Sequence, residues 1–198
     1  MLSDRAGKTD QVVLLPASIE NSSAAPPGLY RVGFLLTCGF IFPFFAALIV
    51  CYLWRAQAST NWDPIELPQI LKVSTAVIFL SSVTFEAARR FYAVGERLAY
   101  YKWITVTTVL TVVFLAMQTT AWYDLYKTGA YLGQNPHSSF FYLFTGLHAA
   151  HVAGGLVALG IVLARKSPRR ELVSVVAFYW HFLLVLWIGL YATLVLVP

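Results

Sequence analysis

Five long apolar stretches constrain the fold of this chain more than any other feature of its sequence. They cover about residues 31–54, 67–88, 101–122, 139–163 and 173–197. A helix needs about 20 apolar residues to cross the ~30 Å hydrocarbon core of a bilayer, and each stretch is close to that length. The sequence therefore predicts an all-α fold, an integral membrane bundle of five transmembrane helices.

The composition agrees with a membrane protein. Of the 198 residues, 59% are hydrophobic and only 12% are charged, whereas a soluble domain carries about 25% charged residues. The net charge of +5 would suit a nucleic-acid partner, but the basic residues flank the apolar stretches instead of forming a patch. We expect no nucleic-acid partner.

The first part of the chain differs from the rest. Residues 1–29 are polar and contain Pro16, Pro26 and Pro27, and their apolar run Val12–Leu15 is too short for a signal-peptide core. We predict an N-terminal arm over residues 1–29 and a transmembrane domain over residues 30–198.

Lys and Arg residues lie mainly on one side of the predicted bundle, which sets its orientation. The opposite side has Arg55, Lys72 and Lys127. Because basic loops stay in the cytoplasm, we predict a cytoplasmic N-terminus and an external C-terminus. The basic side has Arg5, Lys8, Arg31, Arg89, Arg90, Arg97, Lys102, Arg165, Lys166, Arg169 and Arg170.

Three histidines lie inside predicted spans. His148 and His151 share one face of the fourth span, and His181 lies in the fifth. Intramembrane histidines are functional candidates because they are costly without a partner. We favour a role in helix packing, while the alternative is axial ligation of a haem by His151 and His181.

Two residue stripes predict close helix packing. Gly146, Ala150 and Gly154 recur every four residues in the fourth span, a pattern that lets another helix backbone approach. Trp180 and Trp187 share one face of the fifth span. Such stripes are typical of packing and do not indicate a cofactor site.

Charged residues near the end of the second span form one further candidate group. Glu86 lies three and four residues before Arg89 and Arg90, a spacing that favours an interfacial ion pair over a proton-handling role. The sequence has no HExxH motif, Walker loop, nucleophile elbow or cluster of intramembrane carboxylates. We therefore predict no catalytic or metal-binding residue in this chain and a role within a larger complex.

Two long segments resemble a known family. Phe140 to Gly155, FFYLFTGLHAAHVAGG, is similar to the signature of subunit III of the haem-copper oxidases, and Tyr179-Trp-His-Phe182 followed by Trp187 resembles that family's last helix. The resemblance extends from about residue 30 to the end. It implies the five-helix bacterial form of cytochrome c oxidase subunit III.

The resemblance also implies a function. Members of this family are accessory subunits of the oxidase in the bacterial inner membrane. They bind no haem or copper, contact the catalytic subunit I that holds both, bind phospholipid, and support proton uptake in aerobic electron transport. By the same resemblance, His148, His151, Trp180 and His181 belong to a network of packing and lipid contacts. Other oxidase subunits, and a respiratory supercomplex, would be further partners.

Several positions depart from the family pattern. Phe40-Ile41, Ala121 and Leu184 stand where relatives carry acids, which argues against a carried-over proton-handling role for carboxylates. A quinol-oxidase subunit III or a nitric-oxide-reductase-associated homologue has the same fold and stays an alternative. Alternatives of another class are a haem-bearing cytochrome b-like anchor and a small transporter, which the scarcity of paired intramembrane charges disfavours.

Overall fold

The structure is a computed structural model that describes residues 28–58, 62–133, 135–165 and 167–197. Within these ranges the chain forms five α-helices and no strand. All five are long and apolar enough to cross a membrane, which confirms the predicted five-helix membrane bundle. The predicted arm lies outside the described residues apart from Gly28 and Leu29. The helices are α1 (Leu29–Ala58), α2 (Ile70–Val94), α3 (Arg97–Lys127), α4 (Pro136–Ala164) and α5 (Arg170–Leu196).

Most of the helices extend beyond the apolar spans because their end turns are polar or charged. α2 begins three residues later than the predicted span and continues through its charged turn to Val94. Gly95 then ends it with φ of +88°, in the left-handed region. The N–H groups of Gly95 and Glu96 donate back to the carbonyls of Tyr92 and Phe91, which satisfies carbonyls that a helix end would otherwise expose.

The helices differ in how much of their surface the bundle covers. α2 and α3 make the most extensive contact, and α5 lies against α1, α2 and α4. α1 is peripheral, since Ile41, Phe45 and Tyr52 are its only buried described residues. It continues as a helix through Pro43, which is exposed.

A seam of polar side chains joins α2 to α3. In a membrane, helices associate through close packing and interhelical hydrogen bonds, because lipid provides no hydrophobic drive between them. The seam contains Thr84 with Thr107 (2.8 Å between hydroxyls), Ser81 with Thr111 (3.2 Å), and Gln118 Nε2 donating to Ser74 Oγ (3.3 Å).

The segment that leads into α2 is held against the start of α4. Asn135 caps α4 by accepting from the Ser138 N–H at 2.9 Å. The next turn carries His137, whose Nδ1 accepts from the Ile65 N–H at 3.0 Å and whose ring stacks on Trp62 with centroids 5.2 Å apart. These contacts hold the segment before α2 against the first turn of α4.

Candidate functional site

His148 lies at the centre of the bundle and is fully buried. Its ring lies 4.9 Å from that of Trp187 and 5.9 Å from that of Phe114, measured between centroids. Neither ring nitrogen has a hydrogen-bond partner among the described residues. This environment suits a neutral imidazole that packs as an aromatic ring.

His151 lies one turn further along α4 and faces α1. Its Nδ1 is 2.7 Å from the Leu147 carbonyl oxygen, so Nδ1 carries the proton. Its ring meets Phe45 edge-on at 5.4 Å. The Tyr179 hydroxyl donates to the His151 carbonyl at 3.3 Å, which ties α5 to α4 at this level.

His181 lies on the opposite side of α5 from Tyr179, because residues two positions apart in a helix are separated by about 200° around its axis. Its Nδ1 is 2.5 Å from the Ser82 hydroxyl of α2. His181 therefore faces α2, while His151 faces α1 and the Tyr179 side of α5. Among the contacts of the described residues, none joins His181 to either histidine of α4.

Trp180 fills the space between α5, α2 and α4. Its indole Nε1 donates to Ser81 Oγ at 3.0 Å, and its ring meets Phe85 edge-on at 5.7 Å. A Cβ built on Gly155 of α4 would lie 3.0 Å from Trp180 Cζ3 and 3.2 Å from Tyr179 Cε1. A larger residue at position 155 would therefore require these two rings to shift by a few tenths of an ångström.

The small-residue stripe of α4 meets no other helix among the described residues of this chain, so its packing against a helix stays a prediction. Ala150 and Gly154 are exposed, and a Cβ at Gly146 or Gly154 would have nothing within 4 Å. The close approach occurs at Gly155, a quarter-turn away. The four-residue spacing of the small residues identified one face of α4, whereas α5 covers the adjacent face that carries Gly155.

Glu86, Arg89 and Arg90 form one charged cluster on α2. Glu86 accepts from Arg89 Nε and Nη2 at 2.7 Å each and from Arg90 Nε at 2.8 Å. His181 joins the cluster, since its Nε2 lies 3.6 Å from Glu86 Oε2. A tautomer with the proton on Nε2 satisfies both contacts, because Nδ1 can then accept from Ser82. Sequence reasoning missed Ser82 and the link from His181 to Glu86.

The described residues do not assemble a metal centre. Among them, no three His, Cys, Asp or Glu side chains lie close enough to hold a metal ion. His148 and His151 make ring contacts with neighbouring helices, and His181 bonds to α2. The fold and these contacts define a multi-pass helical membrane protein whose polar intramembrane residues join its helices.

Comparison with known proteins identifies the family. The family model of cytochrome c oxidase subunit III matches residues 32–197, which cover all five helices apart from the first three residues of α1. This chain belongs to the cytochrome c oxidase subunit III family.

Relatives come from bacteria and from animals. A protein of Nocardia farcinica named probable cytochrome c oxidase subunit 3 is 33% identical over 178 residues, which cover 85% of this chain and 88% of the relative. Cytochrome c oxidase subunit 3 of Corynebacterium diphtheriae is 32% identical over 185 residues with the same coverage. That of Latimeria chalumnae is 30% identical over 148 residues, 72% of this chain and 54% of the fish protein. With the five apolar helices, the bacterial relatives identify a multi-pass protein of the bacterial inner membrane.

Proposed function

We propose that this chain is the haem-free accessory subunit of a proton-pumping cytochrome c oxidase. The observation that carries the proposal is the family match over residues 32–197. The packing of the intramembrane histidines supports it. A buried His148 without hydrogen-bond partners and a His151 bonded to its own helix suit a scaffold better than a redox centre.

The partners follow from this role. The main partner is subunit I, which would hold the haems and copper, and further contacts are with other oxidase subunits and phospholipids. The orientation has the N-terminus in the cytoplasm, as the distribution of Lys and Arg indicates. Support of proton uptake belongs to the same proposal. The names of the relatives, cytochrome c oxidase subunit 3, favour cytochrome c oxidase over a quinol-oxidase or nitric-oxide-reductase-associated homologue.

A haem-bearing anchor has no comparable support. Two axial histidines must point at one iron from opposite faces of a macrocycle, whereas His151 and His181 face different helices. The Ser82 hydroxyl also bonds to one ring nitrogen of His181, and the Glu86 carboxylate lies 3.6 Å from the other.

The test is isolation of the tagged chain from its membrane in mild detergent, with subunit masses and a reduced-minus-oxidised visible spectrum. The proposal predicts larger oxidase subunits and haem absorption in the same fraction. A control His151→Phe variant keeps a ring against Phe45, and we expect it to retain the full haem absorption per complex. A chain isolated without larger subunits would contradict the proposal, as would haem absorption that His151→Phe abolishes.

A further inference from the structure

An open groove runs along the outer surface of the bundle between α2 and α5. Its walls are apolar, with Phe79, Val83 and Leu184 among the lining residues. The same groove is lined by Ser82, Glu86, Arg90 and His181. An otherwise apolar surface of this chain therefore contains one polar cluster.

The cluster is connected from end to end. The Ser82 hydroxyl meets His181 Nδ1 at 2.5 Å, His181 Nε2 lies 3.6 Å from Glu86, and Glu86 binds both arginines. The side chain of His181 is 35% exposed, and that of Arg90 is 76% exposed. Within the described part of the chain, the Arg90 guanidinium makes one hydrogen bond, from Nε to Glu86.

The depth of the cluster makes lipid a poor neighbour. Ser82 lies twelve residues before the end of α2 and His181 eleven residues after the start of α5, which is about 16–18 Å along each helix at 1.5 Å per residue. Half of a ~30 Å hydrocarbon core is about 15 Å. A phospholipid headgroup could reach Arg90 near the helix end, but His181 and Ser82 would face acyl chains. Ionisable groups at such depth normally face protein or water.

The charge of the cluster indicates what covers it. Glu86 carries one negative charge against two positive charges on Arg89 and Arg90, so the cluster has an excess of one positive charge. Arg89 lies over the Phe178 ring, and Arg90 is the arginine that lines the groove. A neighbour that provides a carboxylate near Arg90 would complete the pairing, and a small or apolar side chain would fit near Val83, which is 52% exposed. Charged pairs at contact surfaces mainly set register and partner choice.

We propose that this α2–α5 groove is the docking surface for a transmembrane helix of the haem-bearing subunit, and that this helix presents a carboxylate to Arg90. The proposal rests on the proposed function, because it names the surface through which this chain meets its larger partner. α1, although mostly exposed, offers only an apolar surface at the same depth, which suits lipid. The polar cluster of the groove favours a protein neighbour over acyl chains.

Site-specific photo-crosslinking in membranes that hold the complete complex tests the docking surface. A benzoylphenylalanine replaces Val83 in the groove or, as a control, Val109 of α3. Val109 is 56% exposed, and it lies two residues from Thr107, which faces α2. The proposal predicts an adduct between the Val83 probe and the haem-bearing subunit, and little adduct from the Val109 probe.

A charge change in the same background tests the carboxylate. Arg90→Glu would place two carboxylates against each other, and because like charges repel we expect the Val83 adduct to fall about tenfold or more. Arg90→Lys keeps the charge and should retain most of the adduct. An equal loss in Arg90→Lys would overturn the proposed charge pairing.

The remaining outcomes separate this proposal from the function on which it rests. Adducts of the Val83 probe with lipid alone, or with the haem-bearing subunit no more often than those of Val109, would overturn the docking surface and leave the accessory-subunit function intact. Failure of the unmodified chain to co-purify with any haem-bearing subunit would overturn both.

Discussion

The indole Nε1 of Trp180 donates a hydrogen bond to the Ser81 hydroxyl at 3.0 Å, deep between α5 and α2. The same hydroxyl lies 3.2 Å from that of Thr111 on α3. One serine therefore links three helices. The motif that contains Trp180 thus contributes to this chain by holding the helix bundle together.

Removal of the Ser81 hydroxyl should destabilise the bundle. Ser81→Ala leaves a buried indole N–H without an acceptor, and we expect a loss of about 1–2 kcal/mol in the free energy of unfolding. Unfolding of the purified complex in a denaturing-detergent titration measures it. Thr120→Ala is the control, because the exposed Thr120 hydroxyl bonds only to a carbonyl of its own helix. Equal effects of the two changes would contradict the three-helix link.

A larger residue should destabilise the protein at position 155, whereas position 154 should accept one. Gly155→Ala places a Cβ 3.0 Å from the Trp180 ring, and overpacking of this kind costs about 1–3 kcal/mol. Gly154→Ala meets nothing within 4 Å of this chain and should be neutral or stabilising by up to about 1 kcal/mol, because alanine favours the helix. Thermal unfolding of the two variants tests this contrast. The reverse order would show that α5 does not pack on α4 at this glycine.

A phenyl ring should replace His148 without loss of stability. His148→Phe keeps the ring contacts with Trp187 and Phe114 and removes two buried polar atoms that lack partners among the described residues. We expect an unchanged or slightly higher free energy of unfolding. His148→Ala should instead lose about 2–5 kcal/mol through the cavity it creates. A large loss in His148→Phe, in the same unfolding assay, would mean that the imidazole nitrogens make a needed bond.

His151→Ala should weaken assembly and spare the chemistry. The change removes the ring contact with Phe45 of α1, a helix that makes few other buried contacts. We expect a lower yield of complete complex with an unchanged oxygen-reduction rate per haem. Ile161→Ala, at a half-exposed position of the same helix, should leave both quantities unchanged. A normal yield of complex with lost turnover would contradict a packing role for His151.

The fold was predictable because each helix corresponds to an apolar stretch of the sequence that is long enough to span a membrane. The helix ends were less predictable, because the turns near Glu86 and Tyr126 are polar and still helical. The Glu86 pairing with two arginines follows local helical spacing, which a single sequence can reveal.

Contacts between distant parts of the chain were not predictable in the same way. Hydropathy does not state which helix lies against which face, so the spacing of Gly146 and Gly154 did not predict the close contact of α5 at Gly155. The seam on α3 did leave a signal, because Thr107, Thr111 and Gln118 recur at spacings of four and seven residues on one face. The pairing of His181 with Ser82 depends on which helices are neighbours in space, and it left no signal in the sequence.

The most direct test of the central claim is to strip this chain from the purified oxidase and measure where the haem remains. The account predicts that all haem absorption stays with the larger subunits, that the separated chain is colourless, and that the initial oxygen-reduction rate per haem is largely retained. Haem that leaves with this chain, or an initial rate that vanishes with its removal and returns on its re-addition, would contradict a cofactor-free accessory role.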